Sequence, residues 1–600
     1  MNSKWMLAAV ALTATIPAAA ADSPEAREGR LQWFREARFG CFVHWGVYSQ
    51  LGNEWHGKRG GSYAEHIQRV LKIPMADYRH DAVEKFNPVN FDADAWVSLA
   101  KRAGMRYFVI TAKHHDGFAM YDSAVSDYNV AKATPWHHDP MKDLEAACKK
   151  QDIRFGFYYS HAFDWGDEHA PGNDWQWHNP GGDLLLGGAE WWLKMPEKLA
   201  DVRANYVDRK SIPQVRELIG KYHPDILWFD TAHKLPLEEN LRILAAAREA
   251  GPNVVINGRI TQGSVLHGDY KDTGDRAMEF PNTPGDWETV PTTNESYGWN
   301  PLDHSHKSPE TLIRVLAKAV SRGGNVLLNI GPMPDGRIDP KDVAILEGIG
   351  RWMEGNEPSI RGCGRAPVPV QPWGVVTAHD RRLYLHVFQW PSGPLVVGGL
   401  RSTPARAWLL TDPKKSPLKL QRMNETDLSI AVPNAAPDTA DSVVALEFDE
   451  QPKGGGIRLI SGDRTITNQL LAFDAERRRG DASGEAAGFG QGDGKTNRYY
   501  LTGWTDPRQS LAWEFRLNAP ARFDVVLRYT KGSGTGRYEV QCGEWKASRA
   551  VSHEVKTDRA FEEPLGSIEL AAGTHRMEIH ALEVTGGEIF RPLEVQLVIR

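Results

Sequence analysis

Cysteine is scarce in this 600-residue chain, which has only Cys41, Cys148, Cys363 and Cys542. Four cysteines so widely spaced are too few for a disulfide framework or a thiolate zinc site, and we expect them to be buried apolar side chains. An excess of charge of either sign is also missing, because 71 basic residues stand against 77 acidic ones and the formal net charge is -6. This balance gives no sign of nucleic-acid or anionic-membrane binding and favours a neutral partner.

Long apolar runs are missing after the first residues of the chain. Residues 1–21 have the features of a secretory signal peptide: Lys4 supplies a positive start, residues 6–16 are apolar, and Ala18-Ala19-Ala20 is a small-residue cleavage site. The apolar run is well short of the ~20 residues that span a bilayer. We therefore expect an exported protein, periplasmic or extracellular, with no membrane segment once the signal peptide is removed.

Between about residues 31 and 360, short β-branched or aromatic runs alternate with amphipathic helical stretches. This alternation predicts repeated βα units on a parallel sheet. Because six strands are clear rather than eight, we predict an irregular (β/α)8-like barrel over residues 22–360. The predicted strands cover 39–44, 107–113, 155–160, 226–230, 254–259 and 326–330, and the predicted helices include 92–103, 141–150, 213–222, 237–250 and 309–321.

After residue 358 the helical periodicity disappears and short alternating runs follow, as in antiparallel sandwiches. We predict a β-sandwich over residues 361–452 and an all-β accessory module over residues 460–600. Carbohydrate binding is one interpretation of that last module, by analogy of fold alone.

Polar side chains directly follow the predicted barrel strands, at the end where such barrels place their working residues. His44, His114, His115, Asp230 and Arg259 all occur at or just after the end of a strand. Glycoside hydrolysis usually needs two carboxyl groups, and Asp230 is the predicted nucleophile, although a turn or helix-cap aspartate is the structural alternative. A proton donor should come from a later loop, and spacing alone does not choose among the acidic residues at 269, 272, 275, 279, 286, 288 and 295.

The motifs in combination resemble the retaining α-L-fucosidases of glycoside hydrolase family 29, over roughly residues 31–373. They are His44-Trp45-Gly46, Asn53-Glu54-Trp55, Lys113-His114-His115-Asp116-Gly117-Phe118, Tyr158-Tyr159-Ser160, Leu227-Trp228-Phe229-Asp230, Asn257-Gly258-Arg259, Trp287-Glu288-Thr289 and the run at 324–332.

This resemblance implies an exo-acting enzyme that removes terminal α-L-fucosyl residues from a fucosylated oligosaccharide or polysaccharide. It implies that Asp230 forms a covalent fucosyl-enzyme, which water hydrolyses with retained configuration. It also implies a set of residues that contact the sugar hydroxyls and enclose its C5 methyl: His44, Glu54, Trp55, His114, His115, Tyr159, Trp228 and Arg259.

The acid/base position departs from the family pattern. Many relatives have Thr-Pro-Glu where this chain has Thr273-Gly274-Asp275. Asp275 is therefore the first choice for the acid/base, and Glu288 and Glu279 are alternatives.

Several other interpretations remain at this stage. The barrel could bind carbohydrate without turnover, or act on a stereochemically related sugar. A metal site at His114, His115 and Asp116 is disfavoured because adjacent strand residues point to opposite faces, so we expect no metal and no cofactor. The Trp-rich segment 161–206 could cover the pocket or could pack against a neighbouring domain or subunit. The oligomeric state is left open.

Overall fold

The computed structural model describes residues 23–182, 188, 190–261, 267–478, 490–491, 499–552, 554 and 560–600. The predicted signal peptide lies outside these residues. Within the described part of the chain, no helix combines the length and the apolar character that crossing a membrane requires.

Eight parallel strands form one curled sheet. In chain order they are Phe39–Val43, Tyr107–Lys113, Arg154–Tyr159, Ile226–Phe229, Val255–Ile256, Lys271–Asp272, Trp287–Thr289 and Gly324–Ile330. Across the sheet, each strand but the fifth lies beside the next one in the chain, and the first strand pairs with the eighth, so that the fifth and sixth strands form the two edges. A parallel bridge from Asn257 to Tyr270 joins the two edges. The predicted irregular barrel is confirmed.

Helices alternate with the barrel strands, and several of them begin at a residue whose side chain caps the first turn. Asp92, Asp139 and Ser308 each accept a hydrogen bond from a backbone N–H of the first turn that follows. The longer helices are Pro24–Ala37, Ala93–Arg102, Pro140–Lys150, Ile212–Tyr222, Leu237–Ala250, Pro309–Ser321 and Pro340–Asn356. Shorter helices are Ile67–Leu71, Met75–Tyr78, Val130–Ala133, Trp191–Lys194 and Pro196–Asp201, and Val202–Ser211 is π-helical.

The first helix, Pro24–Ala37, packs against the aromatic interior of the barrel. Phe34 stacks on Tyr270 with ring centroids 4.5 Å apart, and Asn325 donates a hydrogen bond to the Phe34 carbonyl at 2.7 Å. Leu31 and Phe34 belong to the same buried cluster as Trp228. This cluster is the support on which the functional site is built.

Beyond Ser359 the structure consists of antiparallel sheets, as predicted, with one short parallel pairing at Arg458–Leu459. One sheet contains Gly364–Arg365, Gly374–His379, Arg382–Val387, Arg406–Leu409 and Ser442–Glu447, and it is accompanied by a sheet of Leu395–Val397, Leu420–Arg422 and Leu428–Ile430. The final sheets contain Arg458–Leu459, Glu476–Arg478, Ser510–Leu517, Thr535–Cys542, Trp545–Ala550 and Gly573–Thr585, and Thr467–Leu471, Ala521–Lys531, Phe561–Leu570 and Phe590–Ile599. Two further antiparallel pairs join Glu54–Trp55 with Lys58–Arg59, in a small hairpin, and Gly490–Gln491 with Leu501–Thr502.

One buried carboxylate links the two groups of antiparallel sheets. Asp427 accepts hydrogen bonds from Arg516 and Asn518, both at 2.8 Å, and from Asn424 at 2.9 Å. Arg516 lies in strand Ser510–Leu517 of the final sheets and Asn518 directly follows it, whereas Asp427 directly precedes strand Leu428–Ile430 of the preceding sheets. All four cysteines are buried and unpaired, as expected from their spacing.

Candidate active site

A cavity of about 240 Å³ lies at the carboxyl end of the barrel strands. Five residues predicted from the strand ends line it, namely His44, His114, His115, Asp230 and Arg259, and so do Trp228 and Asp275, which the family resemblance implies. We call the expectation that working side chains follow the barrel strands the strand-end rule. It locates one common site from residues that are far apart in the sequence.

Asp230 follows directly after the fourth barrel strand, and its carboxylate is held by three donors. Tyr158 donates to Oδ2 at 3.1 Å, Arg259 donates to Oδ1 at 3.1 Å, and the backbone N–H of Thr231 donates to Oδ1 at 2.9 Å. Thr231 has a φ of 59°, which a β-branched residue rarely adopts. This turn fixes the orientation of a partly exposed carboxylate at the cavity wall.

Asp275 shares the same arginine with Asp230. Arg259 donates to Asp275 Oδ1 at 2.8 Å through its second terminal nitrogen, and Tyr63 donates to Oδ2 at 3.2 Å. Burial acts to raise the pKa of Asp275, but the Arg259 guanidinium outweighs burial and holds the pKa below its usual value. Without a substrate in the cavity, this arrangement favours the ionised form of Asp275.

Glu65 is a carboxyl group of the cavity wall that no strand end in the sequence indicates. It is buried, and its Oε2 accepts a hydrogen bond from the Gly298 backbone at 2.7 Å. Burial raises its pKa to about 7. Glu65 comes from a 3-10 turn, Ala64–His66, inside the long connection after the first strand, where the strand-end rule gives no signal.

Glu288 lies inside the barrel behind Trp228. It is fully buried and accepts hydrogen bonds from Tyr107 at 2.6 Å, Trp228 at 3.0 Å and Tyr270 at 2.9 Å. It does not line the cavity, and Glu279 forms an ion pair with Lys318 instead of lining it. The structure thus removes the geometric support for both alternative acid/base residues.

Neutral imidazoles make up much of the cavity wall. Burial lowers the pKa of His44 to about 3, and burial lowers the pKa of His114 and His115 well below the usual range. The Nδ1 atom of His44 lies 2.6 Å from Asn329 Oδ1, and the His114 ring stacks on Tyr158 with centroids 5.2 Å apart. Neutral rings of this kind can accept hydrogen bonds from hydroxyl groups.

The structure does not bring Glu54, Trp55 or Tyr159 to the cavity, which corrects their predicted places. Glu54 is exposed in its hairpin, and Trp55 donates from Nε1 to Asp81 at 2.9 Å. Tyr159 points to the opposite face of the third strand and donates to Gln214 at 2.9 Å, because side chains alternate along a strand. Its neighbour Tyr158 faces the cavity instead.

The Trp-rich segment mostly packs behind the site. Trp165 and Trp191 are fully buried, and the Trp165 ring lies 5.5 Å from the ring of His115. Lys113 and Lys210 both pair with the buried Asp164, at 2.9 and 2.8 Å. Residues 183–187 and 189 of this segment lie outside the described residues.

Comparison with known proteins gives a consistent result. A sequence model of the family described as "Alpha-L-fucosidase" matches residues 11–358. Rat tissue α-L-fucosidase is 30% identical over 393 residues, which are 61% of this chain and 78% of that protein. The crystal structure of an α-L-fucosidase from Vibrio sp. strain EJY3 has 27% identity and a TM-score of 0.75, and covers 96% of this chain and 99% of its own. A structure from Bacteroides thetaiotaomicron has 28% identity and a TM-score of 0.60, and covers 70% of this chain and 96% of its own.

Proposed function

Because this chain belongs to the α-L-fucosidase family and is a glycoside hydrolase, we propose that it is an exo-acting, retaining enzyme that removes terminal α-L-fucosyl residues from glycans. The observation that carries this proposal is Asp230, held at the cavity wall by Tyr158, Arg259 and Thr231. The Bacteroides thetaiotaomicron relative is described as a trapped covalent intermediate with 2-fluoro-fucosyl fluoride, which supports the same chemistry here.

In the proposed first step, an oxygen of Asp230 attacks the anomeric carbon while the bond to the leaving oxygen breaks. A second carboxyl group gives its proton to that oxygen. In the second step the same group takes a proton from water, whose oxygen displaces Asp230 and restores the original configuration. Retaining enzymes place these carboxyl groups about 5–5.5 Å apart, and the single guanidinium of Arg259 between Asp230 and Asp275 is compatible with such a pair.

We propose Asp275 as this second carboxyl group, because it shares Arg259 with the nucleophile. Glu65 is the rival that the structure adds, since it lines the same cavity and its pKa of about 7 lets it hold a proton at moderately acidic pH. The small volume of the cavity, about 240 Å³, supports recognition of one terminal sugar.

The test is hydrolysis of 4-nitrophenyl α-L-fucoside by the wild type, Asp230→Ala, Asp275→Ala and Glu65→Gln. Asp230→Ala should lose at least about 10³-fold in kcat/KM. Azide should restore turnover and yield the β-fucosyl azide, because azide enters from the face that Asp230 has vacated. Asp127→Ala, a change at an exposed aspartate, is the matched control and should keep wild-type activity.

The azide products also identify the acid/base. If Asp275 fills this role, Asp275→Ala slows turnover and azide yields the α-fucosyl azide through the intact Asp230. If only Glu65→Gln shows this behaviour, the role passes to Glu65. A wild type that binds L-fucose but hydrolyses neither the nitrophenyl glycoside nor a fucosylated oligosaccharide would support a carbohydrate-binding barrel instead. Preference for a β-D-fucosyl, α-L-galactosyl or α-L-arabinosyl substrate would indicate a related sugar.

We also propose that the protein is exported, because residues 1–21 have the composition of a signal peptide. Intact mass of the protein purified from its source should lack about 21 residues. A full-length mass, with the protein in the cytoplasmic fraction, would contradict this.

A further inference from the structure

Three imidazoles converge on the cavity wall. His66, His114 and His115 each offer a ring nitrogen, and these nitrogens all lie within 4.8 Å of one another. Alternation of side chains along a strand disfavours a metal at His114, His115 and Asp116, but His114 and His115 are not part of a strand. The second strand ends at Lys113, and both histidines follow it on the same wall of the cavity.

The hydrogen bonds of His115 determine which of its nitrogens is protonated. Its Nδ1 lies 2.6 Å from the Ser160 hydroxyl, and that hydroxyl donates its only hydrogen to the Phe163 carbonyl at 2.8 Å. Ser160 must therefore accept from Nδ1–H, which leaves Nε2 with a free lone pair. Nε2 lies 3.8 Å from Asp230 Oδ2. Histidines that bind metal ions are typically fixed in this way, with the second ring N–H donated to a neighbouring oxygen.

Of the other two rings, that of His114 can tilt. The buried Nδ1 of His114 has no hydrogen-bond partner among the described residues, so a tilt of this ring breaks no hydrogen bond at that atom. His66 is half-buried at the end of its 3-10 turn, with its ring 5.3 Å from that of His115 and 5.8 Å from that of His114.

We infer that His66, His114 and His115 form a binding site for a divalent transition ion such as Zn²⁺, with the Asp230 carboxylate as an oxygen ligand. Zinc–nitrogen bonds of about 2.1 Å in a tetrahedron place the nitrogens about 3.4 Å apart, so nitrogens now within 4.8 Å approach by about 1.4 Å at most. An ion bound there fills the space beside Asp230 and excludes any sugar from it. Metal binding is independent of the proposed hydrolase activity, whereas inhibition by the metal rests on it.

The direct test is calorimetric titration of Zn²⁺ into the full chain, after removal of metal with a chelator and without sugar. We expect one equivalent to bind. His66→Asn should raise Kd by at least about 10-fold, and Ser160→Ala should raise it by about 10-fold because His115 loses the acceptor that fixes its Nδ1–H. His379→Asn, at a half-exposed histidine of the antiparallel sheets, is the control and should leave Kd unchanged. Circular dichroism checks that each variant is folded.

Two results would overturn the inference: no saturable binding below about 1 mM Zn²⁺, or the same Kd for the wild type and a folded His66→Asn variant. A second measurement uses the nitrophenyl substrate, where Zn²⁺ should inhibit competitively and a chelator should restore activity. If Zn²⁺ binds as expected but the metal-free protein hydrolyses no fucoside, the proposed function fails and the metal site stands.

Discussion

Replacement of Glu288 by glutamine tests whether this buried carboxyl group affects stability rather than chemistry. Glu288 accepts hydrogen bonds from Tyr107, Trp228 and Tyr270 and is fully buried. Burial raises its pKa from the ordinary 4.5 to about 8. The folded barrel therefore binds this proton more tightly than the unfolded chain does.

The sign of the effect follows from proton linkage. A carboxyl group whose pKa is raised by folding contributes its full stability below the unfolded pKa, near pH 4.5, and this contribution is lost as the pH rises towards 8. Between about pH 6 and about pH 9 the loss from this one group is about 3 kcal/mol. Glutamine does not titrate, so Glu288→Gln should flatten the fall in stability over this range.

Activity should respond much less than stability. The amide oxygen of glutamine can still accept from the Trp228 indole, and the side chain lies outside the cavity. We expect kcat/KM within about 10-fold of the wild type. Urea unfolding at the two pH values, followed by circular dichroism, measures the stability, and the exposed Glu249→Gln is the control. A loss of about 10³-fold in kcat/KM in Glu288→Gln would make Glu288 catalytic and refute this interpretation. If the stability of the wild type and of Glu288→Gln changed equally with pH, the assigned effect of burial would be refuted.

Three other substitutions have matched controls. Tyr158→Phe removes a hydrogen-bond donor to Asp230 and should lower kcat/KM about 10-fold. Tyr159→Phe, on the opposite face of the same strand, should leave kcat/KM unchanged. Equal losses in the two variants would contradict the assigned faces. Glu65→Gln should slow hydrolysis of the nitrophenyl substrate at least about 10-fold, whereas Glu54→Gln in the exposed hairpin should leave the rate unchanged. A slow Glu54→Gln variant beside an unaffected Glu65→Gln variant would place Glu54, not Glu65, in the pocket. Arg516→Ala leaves the buried Asp427 without its cation and should destabilise the contact between the two groups of antiparallel sheets by about 3 kcal/mol. We expect faster limited proteolysis of this variant with unchanged kcat/KM. Arg522→Ala, at a half-exposed site, is its control, and unaltered proteolysis of Arg516→Ala would show that the contact is not limiting.

The barrel could be predicted from sequence wherever its elements are long enough to show a period. The helices Leu237–Ala250 and Pro309–Ser321 have the predicted bounds, and the strand Tyr107–Lys113 does as well. The strands Lys271–Asp272 and Trp287–Thr289 were not predicted, because two or three residues carry no recognisable alternation. Their pairing in the sheet depends on neighbours that are distant in the sequence.

The site could be predicted where its residues follow a strand. His44, His114, His115, Asp230 and Arg259 all line the cavity as the strand ends indicate. Glu65 and His66 could not be found by this rule, because a 3-10 turn in a long connection carries them to the cavity. The Glu54-Trp55 pair matched the family motif by residue type alone, and its two-residue hairpin directs it elsewhere.

The pH dependence of kcat/KM distinguishes the two candidate proton donors. Burial keeps His44 neutral down to about pH 3, so protonation of this ring does not limit activity at mildly acidic pH. A general acid must carry its proton in the free enzyme, and activity falls as the pH rises through its pKa. Arg259 holds the pKa of Asp275 below its usual value, so with an Asp275 donor in this geometry kcat/KM falls already at acidic pH. A Glu65 donor, with a pKa of about 7, sustains kcat/KM to near-neutral pH. A profile that declines near pH 7 in the wild type, and loses that decline in Glu65→Gln, would therefore assign the proton to Glu65 and leave Asp275 as its charged neighbour.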